Sequence, residues 1–380
     1  MIRNLLVLKQ LGIHGSLIDI LAKNFSEDEF KILFKGETLE LQFKYNIFKD
    51  EELDVFSNSK IMDNARNFAD NLIEDSKKQN IKIISYYDDE YPAILKKIEK
   101  RPLIIYAKGN IDLLKASNLV ACVGTRTPSY SAVNSVKNLV KGLVEDGEVI
   151  VSGLAKGIDT EAHKACLLHQ GKTIAVLAHG LDIIYPPENK MLANEILNNN
   201  GVLLSEYPLN TKITKKNFVA RNRIVAGMSQ GVIVFEADEN SGTMHTARFA
   251  FRQGKKLFCP LFTDVDKKNL STGVLNLLDS KSAYLVKDSL EIISILNAKN
   301  SNQDKESIID NKEILISMRS KEVITSNKNE KSQTQNTFLE IDIELSEELR
   351  LLAIHKDITV KELISFLVKK YKERKEEEER

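Results

Sequence analysis

Val149-Ile-Val-Ser-Gly-Leu-Ala-Lys-Gly-Ile-Asp159 opens as an unbroken apolar run and turns, at Ser152, into a loop in which Gly153 and Gly157 bracket Lys156. From Ile158 onward the spacing of apolar residues is helical, over about 158–169. An apolar run without alternation is what a strand buried on both faces requires, and a strand that passes through a short loop into a helix is the repeating unit of a parallel sheet. The same order recurs on both sides. Runs rich in valine, isoleucine and leucine stand at Lys82-Ile-Ile-Ser85, Leu119-Val-Ala-Cys-Val123, Thr173-Ile-Ala-Val-Leu177, Val202-Leu-Leu204, Val232-Ile-Val-Phe235 and Lys256-Leu-Phe-Cys259. Between them, helices are predicted at about 129–146, 188–199, 219–229 and 243–253. The predicted class is α/β, an extended Rossmann-like and mainly parallel sheet with right-handed crossovers. Ligands of such sheets sit beyond the carboxyl ends of the strands, so the loops after these runs are the ones to read for chemistry.

Outward from this core the character changes. Residues 1–75 carry apolar positions at helix spacing (Leu5, Leu8, Leu11, then Leu17, Ile20, Leu21), which predicts a small helical domain ahead of a Rossmann-like domain at 76–298. Residues 299–337 are mostly polar and read as a linker. Phe338-Leu-Glu-Ile-Asp-Ile-Glu-Leu345 then alternates strictly, and Ser346 and Thr359 are placed to cap two following helices. One strand and two helices resemble a ribbon-helix-helix half. Its outward residues Glu340, Asp342 and Glu344 are acidic and would repel phosphates. The module at 338–380 is therefore expected to be an oligomerisation clip, giving a homo-dimer or higher oligomer, in preference to a reader of DNA.

Lysine plus arginine number 54 and aspartate plus glutamate also 54, so any nucleic-acid site must be a local cationic patch on a neutral protein. Cys122, Cys166 and Cys259 are scattered and never paired as Cys-x-x-Cys, which suits reduced packing residues and no metal. The N-terminus lacks a long apolar run with a small-residue cleavage site, and no stretch approaches the roughly 20 apolar residues of a membrane helix. A cytoplasmic protein without membrane contact or cofactor is the expectation.

Three loops have phosphate-binding character. Gly124-Thr125-Arg126 lets backbone approach a ligand and adds a cation. Ser152-Gly153-Leu154-Ala155-Lys156-Gly157 leads into a helix N-terminus, where bare amides and the helix dipole favour an anion. Ser241-Gly242-Thr243 does the same after Val232–Ala237. Each alone reads equally as a plain turn or a helix cap; together they would make a cradle. The densest cationic feature is Lys215-Lys216-Asn217-Phe218-Val219-Ala220-Arg221-Asn222-Arg223, read as lying just before a helix. Its lysines and arginines suit phosphates, and Phe218 offers a face on which a base can stack.

These loops, with Tyr91-Pro92, Pro102-Leu-Ile-Ile-Tyr-Ala-Lys-Gly-Asn110, His163, Gly180-Leu-Asp182, Tyr185-Pro186, Ser205-Glu-Tyr-Pro208 and Thr246-Ala247, occur in one order from Tyr91 to about Leu278. In that set and order the chain resembles the DNA-processing protein A (DprA/Smf) family. The resemblance implies an extended Rossmann fold that binds single-stranded DNA in a basic pocket and assists RecA recombinase loading in natural transformation or recombination. By motif match it implies DNA contacts from Gly124, Arg126, Ser152, Gly153, Lys156, Gly157, Lys215, Phe218, Arg221, Asn222, Arg223, Ser241, Gly242 and Thr243. The chain departs from the family at Cys259-Pro260-Leu261, where a Pro-Gly is usual, and in its C-terminal segment.

Enzymatic motifs are weak. Gly171-Lys172-Thr173 ends like a phosphate-binding P-loop, but position 166 is cysteine where a glycine is needed, and the segment runs into a strand. His163 and His169 do not share a helix face, and His163 beside Asp159 is expected to pin the glycine loop. Asp182, Glu206, Glu236 and Asp238 lie near strand ends. A nucleotide-derivative sensor or phosphoribohydrolase on the same fold is the alternative to a non-catalytic DNA-binding protein. It is weakened because no glutamate follows Thr243.

Overall fold

A computed structural model of the chain describes residues 1–261 and 271–298. Its centre is a sheet of nine strands: β1 (Lys82–Ser85), β2 (Ile104–Gly109), β3 (Leu119–Val123), β4 (Val149–Ser152), β5 (Thr173–Leu177), β6 (Val202–Ser205), β7 (Gly231–Val234), β8 (Lys256–Pro260) and β9 (Tyr284–Val286). The spatial order is β1-β2-β6-β5-β4-β3-β7-β8-β9. From β6 to β9 every pairing is parallel, whereas β2 runs antiparallel to both β1 and β6. The class is α/β, as the run pattern predicts. β3 and β4 are buried along their whole length, which is why their sequences show no alternation.

Helices cover both faces: α1 (Ile2–Gln10), α2 (Gly15–Asn24), α3 (Glu27–Phe34), α4 (Thr38–Tyr45), α5 (Asp50–Ser57), α6 (Ser59–Lys78), α7 (Tyr130–Glu145), α8 (Ile158–Leu168), α9 (Lys190–Asn198), α10 (Lys215–Gly227), α11 (Gly242–Arg252), α12 (Thr272–Asp279) and α13 (Ser289–Asn297). Two apolar clusters hold them. One joins α7, α8, α10 and α11 to the middle strands through Val136, Ile158, Ile224 and Ala247. The other joins the N-terminal helices and α9 to β2, β5 and β6 through Leu5, Leu33, Ile196, Tyr106 and Leu177. The N-terminal helices thus share an apolar core with the sheet. No described helix is long and apolar enough to cross a membrane.

Besides α12 and α13, which the apolar spacing did not announce, three elements differ from the sequence expectation. α10 begins at Lys215 and not near 219, because Thr214 caps it by accepting the amide of Asn217 at 3.2 Å. The cationic run is therefore helical, and its alternate residues point in opposite directions. β2 arises in the segment Pro102–Asn110, whose apolar run supplies an extra antiparallel pairing. β9 is too short to announce itself by periodicity. The linker at 299–337, the module at 338–380 and the segment directly after Leu261 lie outside the described residues.

Candidate nucleic-acid interface

Strand order reverses at β3. The chain runs from β3 through β4 and β5 to β6 on one side, then returns to β7 on the other. The crevice beyond β3 and β7 is the switch point where ligands of doubly wound sheets bind. All three glycine loops of the sequence analysis open onto it, and hydrogen bonds tie them together. The amide of Thr125 donates to Glu236 O at 2.7 Å, the amide of Ile158 to Thr125 O at 3.1 Å, and Thr243 Oγ1 to Gly124 O at 2.9 Å. Gly157 has φ +78°, and a Cβ there would run into the carbonyl of Thr125. The loop after β4 and the loop after β3 can approach this closely only with glycine at that position.

Behind the rim lies a buried polar brace. Arg221, only 4% exposed, donates from Nη1 to Gly153 O at 2.6 Å and also to Val176 O, while Nε reaches Asn222 Oδ1 at 3.2 Å. Its guanidinium occupies the space where a side chain on Gly153 would be. Asp159, in the first turn of α8, accepts the amides of Gly153 at 3.1 Å and Ala155 at 3.4 Å. Burial raises the pKa of the Asp159 carboxyl, while the facing Arg221 charge and the loop amides oppose the rise. Burial likewise makes the Arg221 guanidinium harder to protonate, Asp159 opposing and Arg126 adding to the effect. Ser152 Oγ donates to Cys122 O at 2.7 Å, and Asn222 Nδ2 to Gly242 O at 3.3 Å.

The rim itself is exposed. The Arg126 guanidinium stands 5.9 Å from the centroid of Phe218, which also has Arg221 at 5.8 Å and the ring of Tyr185 at 5.8 Å. Lys215 and Lys216 lie exposed in the first turn of α10, which carries no carboxylate. Cations at a helix N-terminus add to the positive end of the helix dipole. They cost the helix a few tenths of a kcal/mol and leave a positive point for an anion. The first turn of α11 also lacks a carboxylate, and Gly242 is open on its Cβ side.

The candidates are therefore sorted. Arg126, Lys215 and Phe218 come together on the rim, with Gly242 and Thr243 across the crevice. Arg221 is a brace. Arg223 is held away in a bidentate pair with Glu206 (2.7 and 2.5 Å), the pair being almost buried. Lys156 pairs with Glu188 at 2.6 Å across exposed ground. His163 does not pin the glycine loop. It is fully buried and donates from Nδ1 to Thr173 Oγ1 on β5 at 2.7 Å, the threonine hydroxyl being spent on Ile150 O, and burial lowers its pKa to about 3. The loop is pinned by Asp159 and by Asn189, whose Nδ2 donates to Leu154 O at 2.9 Å and Thr160 Oγ1 at 2.8 Å. Asn189 escaped the sequence reading, and Tyr185 entered it only as part of the Tyr185-Pro186 motif and not as a candidate contact, because neither sits in a charged or glycine-rich run. The carboxylates around the crevice accept protein donors: Asp182 the amide of Asn210 at 3.1 Å, Glu236 the amide of Ser129 at 2.8 Å. Among the described residues no group of three or more His, Cys, Asp or Glu is arranged to share a metal ion.

Fold and site define a doubly wound α/β protein whose switch-point crevice is edged by cations, an aromatic ring and unblocked helix N-termini. The family described as DNA recombination-mediator protein A matches residues 82–297, more than half of the chain, and the chain belongs to that family. It is 42% identical over 216 residues to the DNA processing protein DprA of Streptococcus pneumoniae, covering 57% of this chain and 74% of that protein. It is 37% identical over 228 residues to protein Smf of Synechocystis, covering 59% of this chain and 56% of that relative, so little more than half of the relative's length is spanned. The X-ray structure of the Streptococcus pneumoniae protein superposes with a TM-score of 0.56 at 35% identity, over 69% of this chain and 92% of that one. A Helicobacter pylori DprA structure, described for that protein's single-stranded DNA binding mode, superposes at 0.51 with 32% identity, over 57% of this chain and 95% of that one.

Proposed function

We propose that this chain binds single-stranded DNA along the rim beyond β3 and β7, holding phosphates with Arg126, Lys215 and the open amides of Gly242 and Thr243, and stacking a base on Phe218. Ser152, Gly153, Gly157, Arg221, Asn222 and Arg223 act behind this surface by fixing the loops, and Lys156 contributes charge at its flank. The observation that carries the reading is the meeting of an exposed arginine and a lysine-bearing helix N-terminus around one aromatic ring. Cation and π-face together suit a flexible strand whose bases are unpaired, and backbone contacts of this kind carry no sequence information. The Helicobacter pylori relative supports the same ligand class. Assistance to RecA loading during transformation or recombination, a homo-oligomeric state, a cytoplasmic location and the absence of catalysis belong to the same proposal.

A filter-binding titration tests it. Single strands should bind more tightly than duplex, and affinity should fall with salt as counterions are released. Arg126→Ala should weaken binding equally on all sequences while changing stability by less than about 0.5 kcal/mol. Equal binding of duplex, or salt-insensitive binding, would count against the reading. Release of base from a nucleoside monophosphate would favour the hydrolase alternative.

A further inference from the structure

A second cationic run, Lys96-Lys97-Ile98-Glu99-Lys100-Arg101, is not among the crevice loops. It lies between β1 and β2, and the structure seats it on the far end of α10. Arg223 Nε donates to Lys100 O at 2.9 Å, and the side chains of Leu95 and Ile98 fill the space against Gly227. Lys216 and Arg223 are seven residues apart and share a face of α10, about 10 Å apart along the helix axis. The run therefore continues the direction set by Lys215 and Lys216.

It also carries its own ring. The Arg101 guanidinium lies 4.3 Å from the centroid of Tyr86, and Lys96 Nζ lies 5.3 Å from the same ring. Tyr91 meets Tyr86 edge-on at 5.6 Å. Asp19 takes part of the Arg101 charge at 3.1 Å, but Lys97 and Lys100 are exposed with Glu99 as the lone carboxylate of the run. A half-buried tyrosine roofed by a planar guanidinium offers a flat surface for a base, and the flanking lysines offer partners for the phosphates on either side.

We propose that the 96–101 run and Tyr86 form a second single-stranded-DNA subsite, reached by a strand that leaves the Arg126–Phe218 rim and follows α10. The subsite rests on the reading of the rim as a single-stranded-DNA site and extends it to a strand longer than the rim can hold.

The test compares oligothymidylates of about 6 and about 20 nucleotides on the full chain, wild type against the triple variant Lys96→Gln, Lys97→Gln, Lys100→Asn, with asparagine chosen because residue 100 has a left-handed φ of +50°. The expected result is unchanged affinity for the short strand. The long strand should bind about tenfold more weakly, with a salt dependence shallower by about 2 logarithmic units for three lost lysines at about 0.7 each. Irradiation of the long strand carrying 5-iodouracil should attach it to the peptide bearing Tyr86, and the short strand should not attach there. Unchanged long-strand affinity, as for a run that serves an acidic protein, overturns the subsite and leaves the rim standing. So does an equal loss on both strands. Failure of the wild-type chain to bind either strand at low salt overturns the rim and the subsite together.

Discussion

The first turns of α8 and α10 open on the same crevice and are built with opposite electrostatics. In α8, Asp159 and Glu161 occupy the turn, and Asp159 is turned inward to satisfy the amides of its own loop. In α10 the turn carries Lys215 and Lys216 and no carboxylate. The first is closed upon itself: its positive end is neutralised from within, and the glycine loop it holds is rigid. The second is left unneutralised, at some cost to the helix, and is exposed. A glycine loop before a helix is thus no proof of an anion site. The sign of the residues in the first turn, and where they point, decides whether the amides serve the fold or a ligand.

The comparison can be broken most sharply at Arg221, which joins the two turns. Arg221→Ala would leave Asp159 buried without its facing charge and the carbonyls of Gly153 and Val176 without their donor. A loss of about 3–5 kcal/mol in urea unfolding is expected, far more than for any rim cation. Next in size is the effect of pH on the closed side. His163 of α8 is neutral in the fold because burial depresses its pKa to about 3 from 6.5. The unfolded chain therefore binds a proton below about 6.5 that the folded chain refuses. Stability is fully present above that pH and is lost as pH falls toward 3, by about 2 kcal/mol between pH 7 and 5. A shift in the urea midpoint over that range checks it, and His163→Gln should flatten the curve.

The smallest effect sharpens the open side. Lys215→Glu with Lys216→Glu should stabilise the protein by about 0.3–1 kcal/mol, since carboxylates suit a helix N-terminus. The same change should weaken single-stranded-DNA binding about tenfold, by removing cations that neutralise phosphates. Opposite signs in a melting curve and a binding titration are the signature of residues kept for a ligand. Loss of both would return the two lysines to the fold.

Most of the sheet was legible because β3, β4, β5 and β7 are buried on both faces and advertise this as unbroken valine and isoleucine runs. β9 was not, being three residues at an edge with only Val286 buried. At the site, glycines and cations stood out by type, but their division of labour did not. Arg221 and Arg223 look alike in a list of charges. Only the helical setting of the whole run sends one inward to two carbonyls and the other to Glu206. The brace residues Asn189 and Asp159 act through individual side-chain hydrogen bonds to the loop and its neighbours, which leave no periodic trace. The run at 96–101 is absent from the sequence reading, because its bearing on the crevice depends on a contact between Lys100 and Arg223, more than a hundred positions apart.

Cys122, Cys166 and Cys259 lie buried in β3, α8 and β8, and burial pushes all three thiols well above their ordinary pKa. A soluble alkylating reagent can reach them only when the surrounding core opens, and only the thiolate reacts. The molecule thus carries built-in clocks for breathing of the strand that leads to Arg126, of the helix behind the glycine loop and of the strand next to the β9 edge, each readable by mass without adding a label to the surface.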